Sequence, residues 1–115
     1  MPLDVSTRDQ AGAAIVELKG RLDGSPENTR LQQTIRDLLG TGRRRLVLDM
    51  SEVYWANSLG IGSLISAYAT TRREGGALVL CAPSERVRRV LTISGVVPGV
   101  LEVFEDLEAA IAATE

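Results

Sequence analysis

A chain of 115 residues with 44% hydrophobic content suffices for one core, and the expectation is one domain over residues 1–115. Its net charge of −2 offers no basic surface to neutralise phosphates and so argues against a nucleic-acid partner. The complete lack of histidine removes Ser-His-Asp and Cys-His catalysis, histidine metal clusters and histidine phosphotransfer.

Met1-Pro2-Leu3-Asp4 carries no basic and apolar leader, and no apolar stretch approaches the roughly 20 residues that span a bilayer. The expected setting is therefore the cytoplasm, without membrane insertion. Val5 falls in a short opening strand. Residues 13–19 form a stronger one, with Ile15 apolar and Glu17 and Lys19 polar in alternation, and the Ala11-Gly12 turn makes the pair a hairpin. Residues 20–24 interrupt the pattern, and Ser25-Pro26 predicts a helix start with serine as N-cap and proline at the first helical position. Leu31, Ile35, Leu38 and Leu39 supply that helix with an apolar stripe, which Gly40 and Gly42 end.

Residues 45–50 read as a strand covered on both faces, followed by a turn at Ser51-Glu52. Residues 53–56 lead into a helix from Ser58 to about Arg73, with Ile61, Leu64, Ile65 and Tyr68 on one face. Gly75-Gly76 turns the chain into a strand at 77–81, whose Cys81 reads as a small buried hydrophobe in a reducing compartment. Pro83-Ser84 opens a helix bearing Val87, Val90 and Leu91, and Gly95 stops it. After a loop at 96–99 come a last short strand at 100–104 and a helix started by Glu105-Asp106, with Leu107, Ala110 and Ile111 on one face.

Strands alternating with helices imply parallel crossovers. The fold class is therefore α/β, with a mixed, mostly parallel sheet of four to five strands, an antiparallel N-terminal edge and about four helices. Charge is uneven: residues 43–89 hold eight arginines against four acids, and residues 100–115 hold five acids and no base. Arg72, Arg73, Arg86, Arg88 and Arg89 fall on outer helix faces, where they keep a small domain solvated.

The most informative stretch is Asn57-Ser58-Leu59-Gly60-Ile61-Gly62, where a buried strand hands over to a helix. A hydroxyl at a helix start is either an N-cap or a surface group beside free N–H donors and a positive dipole end, and both readings stay open for Ser58. Gly60 and Gly62 permit either close approach by another backbone or tight strand-to-helix packing. Tyr54 and Trp55 are candidate interface anchors, although with four aromatics in the chain at least one is expected in the core. Asp23 either contacts a partner near this turn or shapes the Asp-Gly turn.

With element order and turn together, the whole chain resembles the STAS domain, the fold of bacterial anti-sigma factor antagonists and of sulfate-transporter tails. The resemblance rests on residues 18–23 (LKGRLD), 46–53 (LVLDMSEV), the 57–62 turn, Gly75-Gly76 and residues 90–95 (VLTISG). Asn57 stands where the family commonly has Asp, and Leu59 where it has Ser or Thr. The resemblance implies that Ser58 is a phosphoacceptor for a GHKL-type serine kinase that is itself the anti-sigma factor, that phosphorylation releases this partner, and that a phosphatase reverses the change. It implies a transcription-regulating partner-switching phosphoprotein of bacterial type, a monomer or weak homodimer, with Asp23, Asn57, Ser58, Leu59, Gly60, Ile61 and Gly62 at the partner surface. It implies no enzymatic activity, no cofactor, no metal and no nucleic acid. The alternative is an unphosphorylated STAS scaffold in a lipid-transport ABC complex or a signalling assembly. A small enzyme or nucleotide binder lacks support, since the chain has no GxxxxGK[ST] loop and no recognisable catalytic carboxylate pair.

Overall fold

Strands and helices alternate along the chain after an opening pair of strands. The computed structural model describes residues 3–26 and 29–115. The elements are β1 (Asp4–Gln10), β2 (Ala13–Leu22), α1 (Thr29–Gly40), β3 (Arg45–Ala56), α2 (Ser58–Arg73), β4 (Ala77–Cys81), α3 (Glu85–Ile93), β5 (Val103–Phe104) and α4 (Leu107–Ala113). They build one five-stranded sheet in the order β1-β2-β3-β4-β5. The β1–β2 hairpin is antiparallel and every other pairing is parallel, the mixed α/β arrangement that the element order predicts.

The two faces of the sheet are covered unequally. Leu46, Leu48 and Met50 of β3 join Leu31 and Ile35 of α1, Ile61 and Leu64 of α2, and Val87 and Leu91 of α3 in the larger core. On the other face Ile15, Val47 and Val79 meet Ala110 and Ile111 of α4, with Leu107 and Phe104 packed against them. Leu31, Ile35 and Leu64 are each fully buried; at roughly 25 cal/mol per Å2 of apolar surface, side chains of this size each contribute about 2 kcal/mol of stabilisation. Cys81 lies in the smaller core, 3% exposed, and burial pushes its thiol above the usual range.

Several boundaries differ from the expected ones. β2 does not break at Gly20 but runs on to Leu22, because β3 continues beside it. Ser51 and Glu52 form no chain-reversing turn: β3 is continuous, and two register shifts against β2 each insert one extra residue on β3. The Asp49 carboxylate accepts the Ser51 N–H at 3.0 Å within this bulged segment, so the turn-like composition is spent on a bulge. β5 is only Val103–Phe104, since residues 100 and 101 stay in the preceding turn with Leu101 buried. The described part of α1 starts at Thr29; residues 27 and 28, where its expected first turn falls, lie outside the described residues.

The arginine run at 43–45 is mainly structural. Arg43 pairs with Asp9 at 2.8 Å, Arg44 donates to the Leu39 carbonyl at 2.8 Å, and Arg45 donates to the Ile111 carbonyl at 3.3 Å. The latter two thereby satisfy carbonyls in the last turns of α1 and α4, where the helix dipole favours a cation.

Candidate functional site

Parallel strands end side by side, which brings the β2–α1 loop, the end of β3 and the start of α2 into one place. Asn57 leaves β3 with extended backbone (φ −130°, ψ −178°), and its N–H donates to the Leu22 carbonyl at 3.2 Å. Its side-chain Oδ1 accepts the Gly60 N–H at 3.0 Å, and its own carbonyl accepts the first helical bond, from Ile61 N–H at 2.9 Å. Asn57 is therefore the N-cap of α2. Ser58 is the first helical residue, exposed, with its hydroxyl left out of the cap. The two readings open for Ser58 thus separate physically: a cap needs extended backbone, which Asn57 inherits from β3 and Ser58 does not have.

The two glycines also part. A Cβ at Gly60 would fall on the Leu22 carbonyl oxygen, so glycine is required for the helix start to sit on the end of β2. At Gly62 a Cβ would meet nothing within 4 Å, and the position is exposed, so nothing within the described residues demands glycine there. Gly24 adopts φ +80° in the β2–α1 loop, and a Cβ on it would lie 2.5 Å from the Leu59 Cβ. Leu59 consequently rests on that loop yet remains 69% exposed. Gln32 of α1 donates to the Ser63 carbonyl at 2.7 Å and holds the first turns of α2 from the side.

Asp23 is half-buried beside this turn, with its carboxylate accepting the Ser25 N–H at 3.0 Å. The Ser25 N–H and hydroxyl, then Arg21, hold its carboxyl below the usual range. Arg21 lies 3.3 Å from Asp23 and stacks over the Trp55 ring, 5.2 Å from its centroid. Arg21 and Trp55 come opposite each other only through the two register shifts between β2 and β3, which neither strand's own alternation reveals.

Of the residues expected at the partner surface, Asp23, Asn57, Ser58, Leu59 and Gly62 surround the turn with some surface to offer. Ile61 is a correction: its side chain is 2% exposed, because the fourth helical residue points into the larger core. Gly60 is buried as well and acts through its lack of a side chain. Tyr54 and Trp55 are both exposed, and Tyr68 and Phe104 pack against the cores instead. Ile65, assigned by spacing to the packed face, is 37% exposed and lies seven residues, two helical turns, from Ser58. Among the described residues no group of three or more His, Cys, Asp or Glu is placed to hold a metal, and no helix is long and apolar enough to cross a membrane.

Known proteins share this fold. The family model described as STAS domain matches residues 4–110. The chain is 25% identical over 95 residues to a Paenibacillus polymyxa protein named anti-sigma F factor antagonist, covering 83% of this chain and 81% of that protein. It is 28% identical over 107 residues to a Bordetella bronchiseptica protein provisionally named anti-sigma factor antagonist BtrV, covering 93% of this chain and 91% of that protein. Among solved structures, the unphosphorylated anti-sigma factor antagonist SpoIIAA superposes with TM-score 0.79 at 18% identity, covering 96% of this chain and 95% of that one. The phosphorylated form of SpoIIAA, from Bacillus, superposes with TM-score 0.70 at 18% identity, covering 98% and 99%.

Proposed function

Because the chain belongs to the STAS domain family, we propose that it is an anti-sigma factor antagonist: a cytoplasmic binding module that sequesters an anti-sigma factor and is released by phosphorylation of Ser58. The kinase is the anti-sigma factor itself, of the GHKL type, and a phosphatase restores the binding form. The module works by association and has no chemistry of its own. The names of its relatives and the existence of a phosphorylated form of SpoIIAA support this reading.

The observation that carries it is the division of labour between Asn57 and Ser58. Because Asn57 caps α2, the Ser58 hydroxyl is exposed and free to be modified without uncapping the helix. A phosphoryl group there adds about −1.5 to −2 charge, which the dipole end of α2 tolerates within the domain. A partner packed over the turn would have to bury that charge unpaired. A hundredfold loss of affinity needs only about 2.7 kcal/mol, within the cost of such burial. Leu59 offers the apolar contact beside the switch, and Gly62 leaves room for a partner backbone on the next turn.

The test is a binding titration with the cognate anti-sigma kinase. Ser58→Ala should bind as the wild type does and take up no phosphate, while Ser58→Glu should bind on the order of a hundredfold more weakly. Equal binding by both variants, or phosphate incorporated into Ser58→Ala, would sink the reading.

A further inference from the structure

β1 is the outer strand of the sheet, and among the described residues no element pairs with its outer edge. Seven uninterrupted antiparallel pairs hold it to β2, from Asp4 opposite Lys19 to Gln10 opposite Ala13. It has no proline or bulge to blunt the free edge, carries the charges Asp4, Arg8 and Asp9, and is exposed along almost its whole length. Its unused N–H and C=O groups are a template for another extended strand.

The order of side chains on β1 selects the occupant. A second copy related by a two-fold axis normal to the sheet adds its own β1 antiparallel, with the same face up. If the axis passes at Ser6, Asp4 of each copy stands opposite Arg8 of the other, Val5 opposite Thr7, and Ser6 opposite Ser6. This register brings two opposite charges together twice and faces two β-branched residues across the join. Moving the axis to Thr7 sets Asp4 against Gln10 and Val5 against Asp9; moving it to Arg8 sets two arginines face to face. On its own sheet Asp4 already faces Lys19, and Arg8 bridges Glu17 at 3.2 Å, so the charges continue in alternating sign across the join.

We infer that two copies of this chain associate edge to edge through β1, centred on Ser6, into one ten-stranded sheet. The contact is small and polar, which makes the dimer weak and reversible. Its two-fold axis points the C-terminal ends of the parallel strands of the two copies in opposite directions. Each Asn57–Gly62 turn therefore stays uncovered, and the dimer presents two outward sites. The association does not depend on the function proposed for Ser58.

Sedimentation velocity over a concentration series tests the inference on the full chain. The wild type should shift from monomer towards dimer as concentration rises. Asp4→Lys and Arg8→Glu should each weaken self-association about tenfold or more, since each sets like charges opposite across the join. An equimolar mixture of the two variants should associate again, because the Asp4→Lys side chain of one then faces the Arg8→Glu side chain of the other, and the unchanged Arg8 of the first faces the unchanged Asp4 of the second. Circular dichroism on each variant checks that it folds, and the mixture is itself the control for a merely local effect. In register, Ser6→Cys should form an intermolecular disulfide with glutathione disulfide as oxidant, whereas Thr7→Cys, set two residues out of register with itself, should not. A wild type that stays monomeric at millimolar concentration, or a mixture that does not recover association, would overturn the inference. A dimer indifferent to both charge reversals would equally overturn it and place the contact elsewhere.

Discussion

A Cβ added at Gly60 would fall on the Leu22 carbonyl, whereas one added at Gly62 would enter open solvent, so their alanine variants should differ in sign. Gly60→Ala should destabilise by about 2 kcal/mol or more, because backbone on backbone leaves no side chain to yield. Gly62→Ala should stabilise by about 0.5–1 kcal/mol by removing glycine from a helix, while weakening partner binding. Urea denaturation measures the first pair of effects and a binding titration the last. Asn57 is the corresponding case for the cap. Asn57→Ala should cost about 1 kcal/mol and Asn57→Asp a few tenths at most, since aspartate caps equally well. Ser58→Ala should leave the urea midpoint unchanged; a drop comparable to that of Asn57→Ala would mean that Ser58 shares the capping.

Among the elements, those whose apolar residues repeat with a clean period are legible in the sequence. α1 shows its stripe in Leu31, Ile35 and Leu39, and α3 its start in Ser84, whose hydroxyl accepts the Val87 N–H at 3.2 Å. Where strand pairing overrides local composition, the sequence misleads. Gly20 and the Ser51-Glu52 pair look like breaks, but β2 and β3 support each other across them, and the long-range pairing of Leu22 with Ala56 is invisible in either segment alone. The same pairing builds the candidate site: it sets the Leu22 carbonyl under Asn57 and Gly60. The turn that carries the candidate residues is legible in the sequence, and their separate roles in the helix start are not. That Asn57 sits at the cap position and that Gly60 must be glycine follow only once β2 is seen to run to Leu22.

At the scale of the molecule, stability responds to pH through carboxylates held below their usual range. Asp9 is held low chiefly by its hydrogen bond from Arg43, and Asp23 chiefly by the Ser25 N–H. A carboxyl with a folded pKa below its unfolded value stabilises the fold above the unfolded value of about 3.8 and loses that contribution as pH falls through the folded one. Asp23→Asn should therefore be less stable than the wild type at neutral pH, and the two urea midpoints should converge below about pH 4. A gap that stays constant down to pH 2 would show that the carboxylate's charge plays no part.

Trp55 is the only tryptophan in the chain, and it sits at the end of β3 with the Arg21 guanidinium over its ring and Asp23 beyond. The indole is thus a native fluorophore three residues from the Ser58 hydroxyl, under a cation that influences its emission. Whatever docks on this turn or charges it will register as a change in intensity or wavelength, so the molecule carries its own reporter and occupancy can be followed in real time without a dye.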